Sequence, residues 1–430
     1  MGGRRAEYAP AGRWVGEIGL SSAPGTPPRS AAHALASWAA VLEPTDEDLE
    51  LARRALVDTV AVAVAAREHE LLAIAGPLTA AGWLAVAAHV LDYDDLHLPS
   101  TTHISAVCVP AALAAGGGAR AYLAGAGIMA RLGTQLGWSH YDAGWHTTCT
   151  AGAPAAAVAA GVAIELDPDR LARAIALAVP AAGGAHRAFG THAKPLQVGF
   201  AVEGGLRAAT LAAAGATADP TALDEWLTLV GASEPEPVLE GPAVPGGLAV
   251  KLSPCCYALQ RPIDAVGEAL GTEPIAPEEI ERVLVTVPSG TLRPLIHHRP
   301  QTGLQGKFSL EYAVAASVLD GRPGFASFTD AAVARSAARE LLQRVEIREA
   351  PGGEGLLSGT VGIELRLRSG MARRAMVDLP AGAPGRPPTS FELEAKVADC
   401  AGARAGDVAA LTWDGAGAAV PQLMSAAVRS

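Results

Sequence analysis

The stretch LDYDDLHLPSTTH, residues 91–103, gathers Asp92, Asp94, Asp95, His97 and His103 into one short run of a chain otherwise rich in alanine, glycine and leucine. Carboxylates beside imidazoles can orient a histidine and tune it for proton transfer. If the lead-in LAVAAHVLDYDD stays helical, His89 lies one turn before Asp92, and Asp92 and Asp95 share a face. Pro99 and the small hydroxyl residues after it make HLPSTTH a loop, and AVCVPAALA begins a buried helix. Two readings stand at this point: a solvated helix end with N-capping aspartates, or an acid/base site at a helix–loop–helix junction. The spacing matches neither HExxH nor a Cys/His site, and the five cysteines form no CxxC pair, so no metal is expected.

Four further stretches carry chemistry-bearing side chains. SHYDAGWHTTCTAG (139–152) holds His140 and His146, the latter just before a helix of small residues. GTHAKPLQVGFAVEGG (190–205) places Lys194 in a turn at a helix start, where the helix dipole does not favour a cation and an anion is expected to compensate. VKLSPCCYALQRPID (250–264) sets Lys251 before a proline turn, and GKFSLEYAVAA (306–316) carries Lys307 and Tyr312. Of 33 basic residues only Lys194, Lys251, Lys307 and Lys396 are lysine. Two readings of this bias stand: a GC-rich genome that favours arginine codons, or lysine kept where a compact point charge is needed. Histidines to move a proton and lysines to hold an anion suit a reaction next to a carboxylate. No GxSxG, Walker A or GxGxxG motif is present, so hydrolase, NTPase and dinucleotide-binding readings fall away.

The elements that must position these groups follow from the hydrophobic pattern. At 430 residues the chain exceeds what one core usually spans, so two domains are expected. Residues 1–30 read as a flexible tail. From 31 to 248 the pattern is all-helical: DEDLELARRALVDTVAVAVAAR opens with acids in its first turn, and GFAVEGGLRAATLAAAG ends at Gly215, a C-cap candidate. The Pro/Gly-rich segment 231–247 marks a boundary. Residues 249–389 form an α+β module whose period-two runs, ERVLVTVP, QRVEIREA, GTVGIELRLRSG and ARRAMVDLP, read as strands of an antiparallel sheet. Residues 390–430 return to helix and rejoin the first domain. The fold class is therefore mainly α. A net charge of −11 argues against nucleic acid as a partner. No run is long and apolar enough for a membrane span, and the N-terminus lacks an apolar signal core, so a cytoplasmic protein is expected.

The order of the five stretches resembles the MmgE/PrpD family of 2-methylcitrate dehydratase, cis-aconitate decarboxylase and iminodisuccinate epimerase. LDYDDLHLPSTTH is similar to the family's acidic–aromatic–acidic–acidic…His segment and GWHTT to its Gly-aromatic-His element. KPLQVGFAVEGG resembles its Lys-Pro-Leu-His helix, VKLSPCC its Lys-x-x-Pro-x-Cys turn and KFSLEYAVAASVLDG its Phe-Ser-x-x-Tyr helix. The resemblance runs from about residue 31 to the C-terminus. It implies a helical domain with an α+β lid, a homodimer, and a cofactor-free pocket between the domains holding Asp92, His103, His146, Lys194, Lys251 and Tyr312. Asp95, His97 and Gln197 stand beside these as candidate substrate-binding residues.

Departures from the family pattern bear on specificity. Leu96 stands where threonine is usual, Ile104 where proline is, and Gln197 and Gln260 where histidines are. The implied enzyme is a lyase, dehydratase or decarboxylase, or an isomerase, working at a carbon α to a carboxylate or carbonyl. In it His103, oriented by Asp92, and His146 exchange protons, Lys194 and Lys251 bind an anion or enolate, and Tyr312 donates a hydrogen bond. The alternatives are a repurposed enzyme for a less charged secondary metabolite and a non-catalytic ligand-binding protein. Two lysines match one or two carboxylates, so a tricarboxylate is not expected.

Overall fold

The computed structural model describes residues 30–232, 237–272, 275–353 and 355–425. The N-terminal tail expected over residues 1–30 lies outside them except for Ser30, which caps the first helix through the His33 amide.

The first part is a bundle of helices held close by small side chains. Thr147–Ala163 is buried on every side along almost its whole length, and it packs between Ala119–Asp142 and Ala193–Ala213. A helix that is apolar all round belongs in a core. Alanine and glycine let the axes approach: a Cβ on Gly205 would stand 2.5 Å from the Ala156 Cβ. The acidic start of DEDLELARRAL is a capping box, with Thr45 and Asp48 satisfying each other's backbone amides ahead of helix Asp46–Ala66. Helix Ala193–Ala213 is followed by Gly215 at φ +93°, the left-handed residue that ends it.

The second part carries a four-stranded sheet: β1 (Ile280–Pro288), β2 (Val345–Ala350), β3 (Val361–Leu367) and β4 (Ala372–Val377), in the order β2-β1-β3-β4. β3 pairs antiparallel with both β1 and β4, but β1 and β2 run parallel, with Val283 opposite Val345. The sheet is mixed, which corrects the antiparallel expectation. Helices Leu310–Asp320 and Ser336–Arg344 lie between β1 and β2 and form the crossover that parallel neighbours need. Period-two alternation reports one buried face and carries no strand direction.

Two large apolar cores result. One joins helices of residues 31–244 to residues 397–423, and Trp413 Nε1 donates to the Ala52 carbonyl at 3.0 Å across that contact. The other gathers residues 249–377 and takes Leu96, Tyr141 and Phe189 from the first part of the chain. The seam between the cores therefore runs beside the acidic stretch. Among the described residues no helix is long and apolar enough to cross a membrane.

Candidate active site

Helix Ala80–Val90 ends before the aspartates, so Asp92 and Asp95 do not share a helical face as the pattern suggested. Asp92 sits at φ 54°, a left-handed conformation that aspartate tolerates better than most residues. Leu96 then forms a two-way bridge with Ala249, N to O at 2.9 and 2.8 Å. That bridge sets Lys251 against Asp92 although 159 residues separate them. On the other side the His146 amide donates to the Gly184 carbonyl at 3.0 Å. Gly184 lies at φ +123°, and a Cβ there would come within 2.7 Å of the Cys149 Cβ, so the turn that seats His146 requires glycine.

The result is a buried charge cluster. Lys194 Nζ donates to Asp92 Oδ1 at 2.8 Å, and Lys251 Nζ donates to the same oxygen at 3.0 Å and to the Asp92 carbonyl at 2.8 Å. Lys251 Nζ is also 4.0 Å from Asp94 Oδ1. Asp94 Oδ2 meets His89 Nδ1 at 2.7 Å and lies 3.1 Å from His103 Nδ1, while His103 Nε2 lies 3.9 Å from Asp92 Oδ1. The His89 and His103 rings pack edge to face with centroids 4.5 Å apart, and His89 stacks towards His146 at 6.1 Å. Gln197 Nε2 donates to His146 Nδ1 at 2.6 Å, and its Oε1 accepts from the Ala185 amide at 3.0 Å. The amide contact fixes which way the carboxamide points, so His146 carries its proton on Nε2. His146 Nε2 finds no hydrogen-bond partner among the described residues.

Burial and charge set the protonation states. Burial opposes the charge on Asp92, but Lys194 and Lys251 outweigh it and hold the carboxyl far below the usual range. Burial opposes Asp94 as well, and His103 and His89 hold it well below that range. Lys251 is raised, because Asp92 and Asp94 outweigh the cost of burying its charge. Burial pushes His103 down to about 3, and it lowers His89 and His146 too. The resting cluster thus pairs two carboxylates and two ammonium groups around neutral imidazoles.

A small cavity of about 40 Å³ opens on this cluster at the seam. Its polar wall is Asp92, Thr101, His103, His146, Lys194 and Cys256. Trp138, Tyr141, Phe189, Tyr257 and Phe308 supply aromatic surface, with Leu96, Pro294 and Leu356 beside them. Lys194 Nζ lies 5.3 Å from the Phe189 ring centre and 5.1 Å from that of Phe308. A hollow of about 860 Å³ exists elsewhere, beside helix Asp46–Ala66, but none of these histidines or lysines lines it.

The other expected site residues are placed differently. Tyr312 does not line the cavity; its hydroxyl donates to the Ser327 carbonyl inside the second core. His97 braces the loop instead, Nδ1 to Ser100 Oγ at 2.6 Å and Nε2 to the Pro245 carbonyl at 2.5 Å. Asp95 accepts from the Ser105 amide at 3.2 Å and from the Ser105 hydroxyl, so it caps helix Ile104–Ala114 rather than facing the cavity. Gln197 reaches the site through His146. His89 and Asp94, noted in the acidic run and its lead-in but not expected as site residues, join the cluster, and the pairing that brings them in runs from i to i+5 past a helix end. His89, Asp92, Asp94 and His103 each place one ligand atom within 4.8 Å of the others, a spacing that could hold an ion. Two ammonium groups already supply the positive charge at Asp92 Oδ1, so a divalent cation there would sit against both of them.

A pH dependence follows from these shifts. His103 at about 3, His97 at about 4, and the lowered His89 and His146 all bind protons less readily folded than unfolded. The unfolded chain takes up those protons below its ordinary imidazole value of about 6.5, so stability falls as pH drops from about 6.5 towards 4. Asp92 and Asp94 add to this loss at still lower pH. Burial raises Asp95 to about 7 and raises Asp58, and these two act in the opposite sense. Burial lowers His69, His140 and His186 as well, so seven imidazoles act against two carboxyls. The urea midpoint at pH 5 is expected to lie clearly below that at pH 7.5, and a midpoint that rises on acidification would contradict the buried neutral histidines.

In class this is a helical protein with an α/β module and a buried histidine–lysine–aspartate cluster at the seam between two cores. The chain belongs to the MmgE/PrpD family: the MmgE/PrpD N-terminal domain matches residues 73–230 and the MmgE/PrpD C-terminal domain residues 253–413. It is 26% identical over 297 residues to a cis-aconitate decarboxylase of Aspergillus terreus, a match covering 59% of this chain and 60% of that protein. A protein of the same name from Aspergillus terreus strain NIH 2624 is 27% identical over 297 residues, with the same coverage. The chain thus spans about 60% of the length of the curated relatives it matches.

Proposed function

We propose that this chain is a cofactor-free, metal-independent enzyme that removes a proton from a carbon next to a carboxylate or carbonyl. Proton removal leads to elimination or epimerisation of a small acid or carbonyl compound, a lyase being preferred over an isomerase; in a decarboxylation the carbanion forms instead by loss of CO2, and a site histidine then delivers a proton to it. The observation that carries this reading is the Asp94–His103 contact: His103 Nδ1 lies 3.1 Å from Asp94 Oδ2, without hydrogen-bond geometry, and a proton held on Nδ1 would leave the Nε2 lone pair free on a residue that lines the cavity. In this reading His103 Nε2 takes the α-proton. Lys194, whose ammonium has further donors beyond the one given to Asp92, receives the developing enolate oxygen. His146 Nε2–H returns a proton to the leaving group or to the opposite face. As negative charge arrives beside Lys194, the field of the lysines on His103 is offset and its affinity for a proton rises.

The cavity of about 40 Å³ holds only a few waters, at roughly 10–15 Å³ each. An acid of several carbons therefore has to part the two cores. This supports residues 249–389 acting as a lid over a helical domain of residues 31–248 and 390–430. The family resemblance carries a cytoplasmic homodimer into the same proposal. The test is exchange of the α-hydrogen of small carboxylic and keto acids in D₂O, followed by proton NMR, with protein dialysed exhaustively against a chelator. Exchange at an undiminished rate is expected. Loss of exchange on dialysis with recovery on adding a divalent ion would replace the two-lysine mechanism with a metal-centred one.

A further inference from the structure

The formal charges around the cavity limit what it can take. Among the described lining residues the charged ones are Asp92 and Lys194, and the two imidazoles are held neutral by burial. Lys251, behind Asp92, is bound to that residue's side chain and carbonyl. Lys307 donates to the Leu91 carbonyl and does not line the cavity. Arg293, stacked on Trp138 with its guanidinium carbon 4.6 Å from the ring centre, lies 3.4 Å from Asp142.

Lys194 and the His146 Nε2–H can together receive one anionic group. A second carboxylate would meet the Asp92 carboxylate, the rings of Phe189 and Phe308, the side chains of Leu96 and Leu356, or the neutral donors Thr101, Trp138, Tyr141 and Tyr257, none of which carries a compensating positive charge. Burying an unpaired charge is strongly unfavourable. The positions where polar groups were expected do not change this count. Leu96 lines the cavity with an isobutyl group. Gln260 turns away, its Oε1 accepting from the Ser253 amide at 3.2 Å and its Nε2 donating to the Ser253 carbonyl at 3.0 Å. The Tyr257 hydroxyl, buried with no hydrogen-bond partner among the described residues, adds one neutral donor that suits a carbonyl or hydroxyl oxygen.

We infer that the substrate is a singly charged acid with an apolar body, its one carboxylate held by Lys194 and His146 and its body lying against the Phe189, Phe308 and Leu356 wall. This rests on the proton-transfer reading only in taking the same cavity as the substrate site. The test uses three six-carbon acids that differ in charge: hexanoate, adipate and tricarballylate. Binding to the full chain is measured by titration calorimetry at pH 7.5 and constant ionic strength. Affinity is expected to fall at least about tenfold with each added carboxylate, and Lys194→Met should weaken hexanoate binding by about tenfold or more. Phe308→Leu, which keeps the lysine, should weaken hexanoate by a smaller factor. Tricarballylate or adipate binding as tightly as hexanoate overturns the inference, and so does failure of all three acids to bind or hexanoate binding that ignores Lys194→Met. Deuterium exchange is read separately: the expected affinity order without exchange in any acid refutes the proton-transfer reading and leaves the specificity standing.

Discussion

Replacing Lys251 with methionine is expected to cost the fold about 3–5 kcal/mol, the range for removing one partner of a buried ion pair. Lys251 is fully buried, 3.0 Å from Asp92 Oδ1 and 4.0 Å from Asp94 Oδ1. Methionine nearly preserves length and volume, so little of the loss can be blamed on a cavity. What changes is charge: two carboxylates would share the single ammonium of Lys194, and the Asp92 carbonyl would lose its donor. Adding Asp92→Asn to Lys251→Met restores the balance, and asparagine tolerates the φ of 54° at that position. The double variant should therefore lose less than the two single losses added together. Urea denaturation with a shared m-value measures all three variants. A loss below about 1 kcal/mol for Lys251→Met would mean that the cluster is not an interdependent buried ion pair.

Much of this cluster is legible as composition and little of it as geometry. All four lysines are buried, and three of them, Lys194, Lys251 and Lys307, end within reach of the Leu91–Asp92 corner. In a chain that otherwise uses arginine, lysine scarcity was thus a real positional signal. The fourth, Lys396, pairs with buried Asp58 at 2.6 Å. The helical first part and the period-two strands were also readable, because 3.6- and 2-residue periods are local properties of the chain. Partners distant in sequence were not readable. His97 turns to a carbonyl 148 residues away, and Tyr312 turns into its own core, although both sit inside stretches that contribute to the site. Nearness to a motif says nothing about which way a side chain points. Gln197 is the converse case: it stands where a histidine was expected and acts through His146 Nδ1 rather than on a substrate. Strand direction failed for a similar reason, since the helices between β1 and β2 set it rather than the strands themselves.

His103→Gln is expected to lower α-hydrogen exchange by 10²-fold or more, the usual worth of a positioned acid/base group. Glutamine is close in size and keeps a polar end, but its carboxamide cannot accept a proton at neutral pH. The fold should tolerate it: the His103 amide donates to Thr148 Oγ1 at 3.1 Å, and that bond belongs to the backbone. The loss should fall on the rate at saturating acid rather than on affinity, because Lys194 and His146 still present their donors. Asp94→Asn separates orientation from chemistry. Asparagine can still accept from an imidazole but carries no charge to stabilise a protonated His103, so the reaction should slow less than for His103→Gln and its pH profile should shift to lower pH, as the proton affinity of His103 falls without the carboxylate. Asp94 is then a positioning residue. A His103→Gln protein that keeps more than a tenth of the exchange rate would take the base role away from His103. It would leave that role to His146, the other imidazole on the cavity wall.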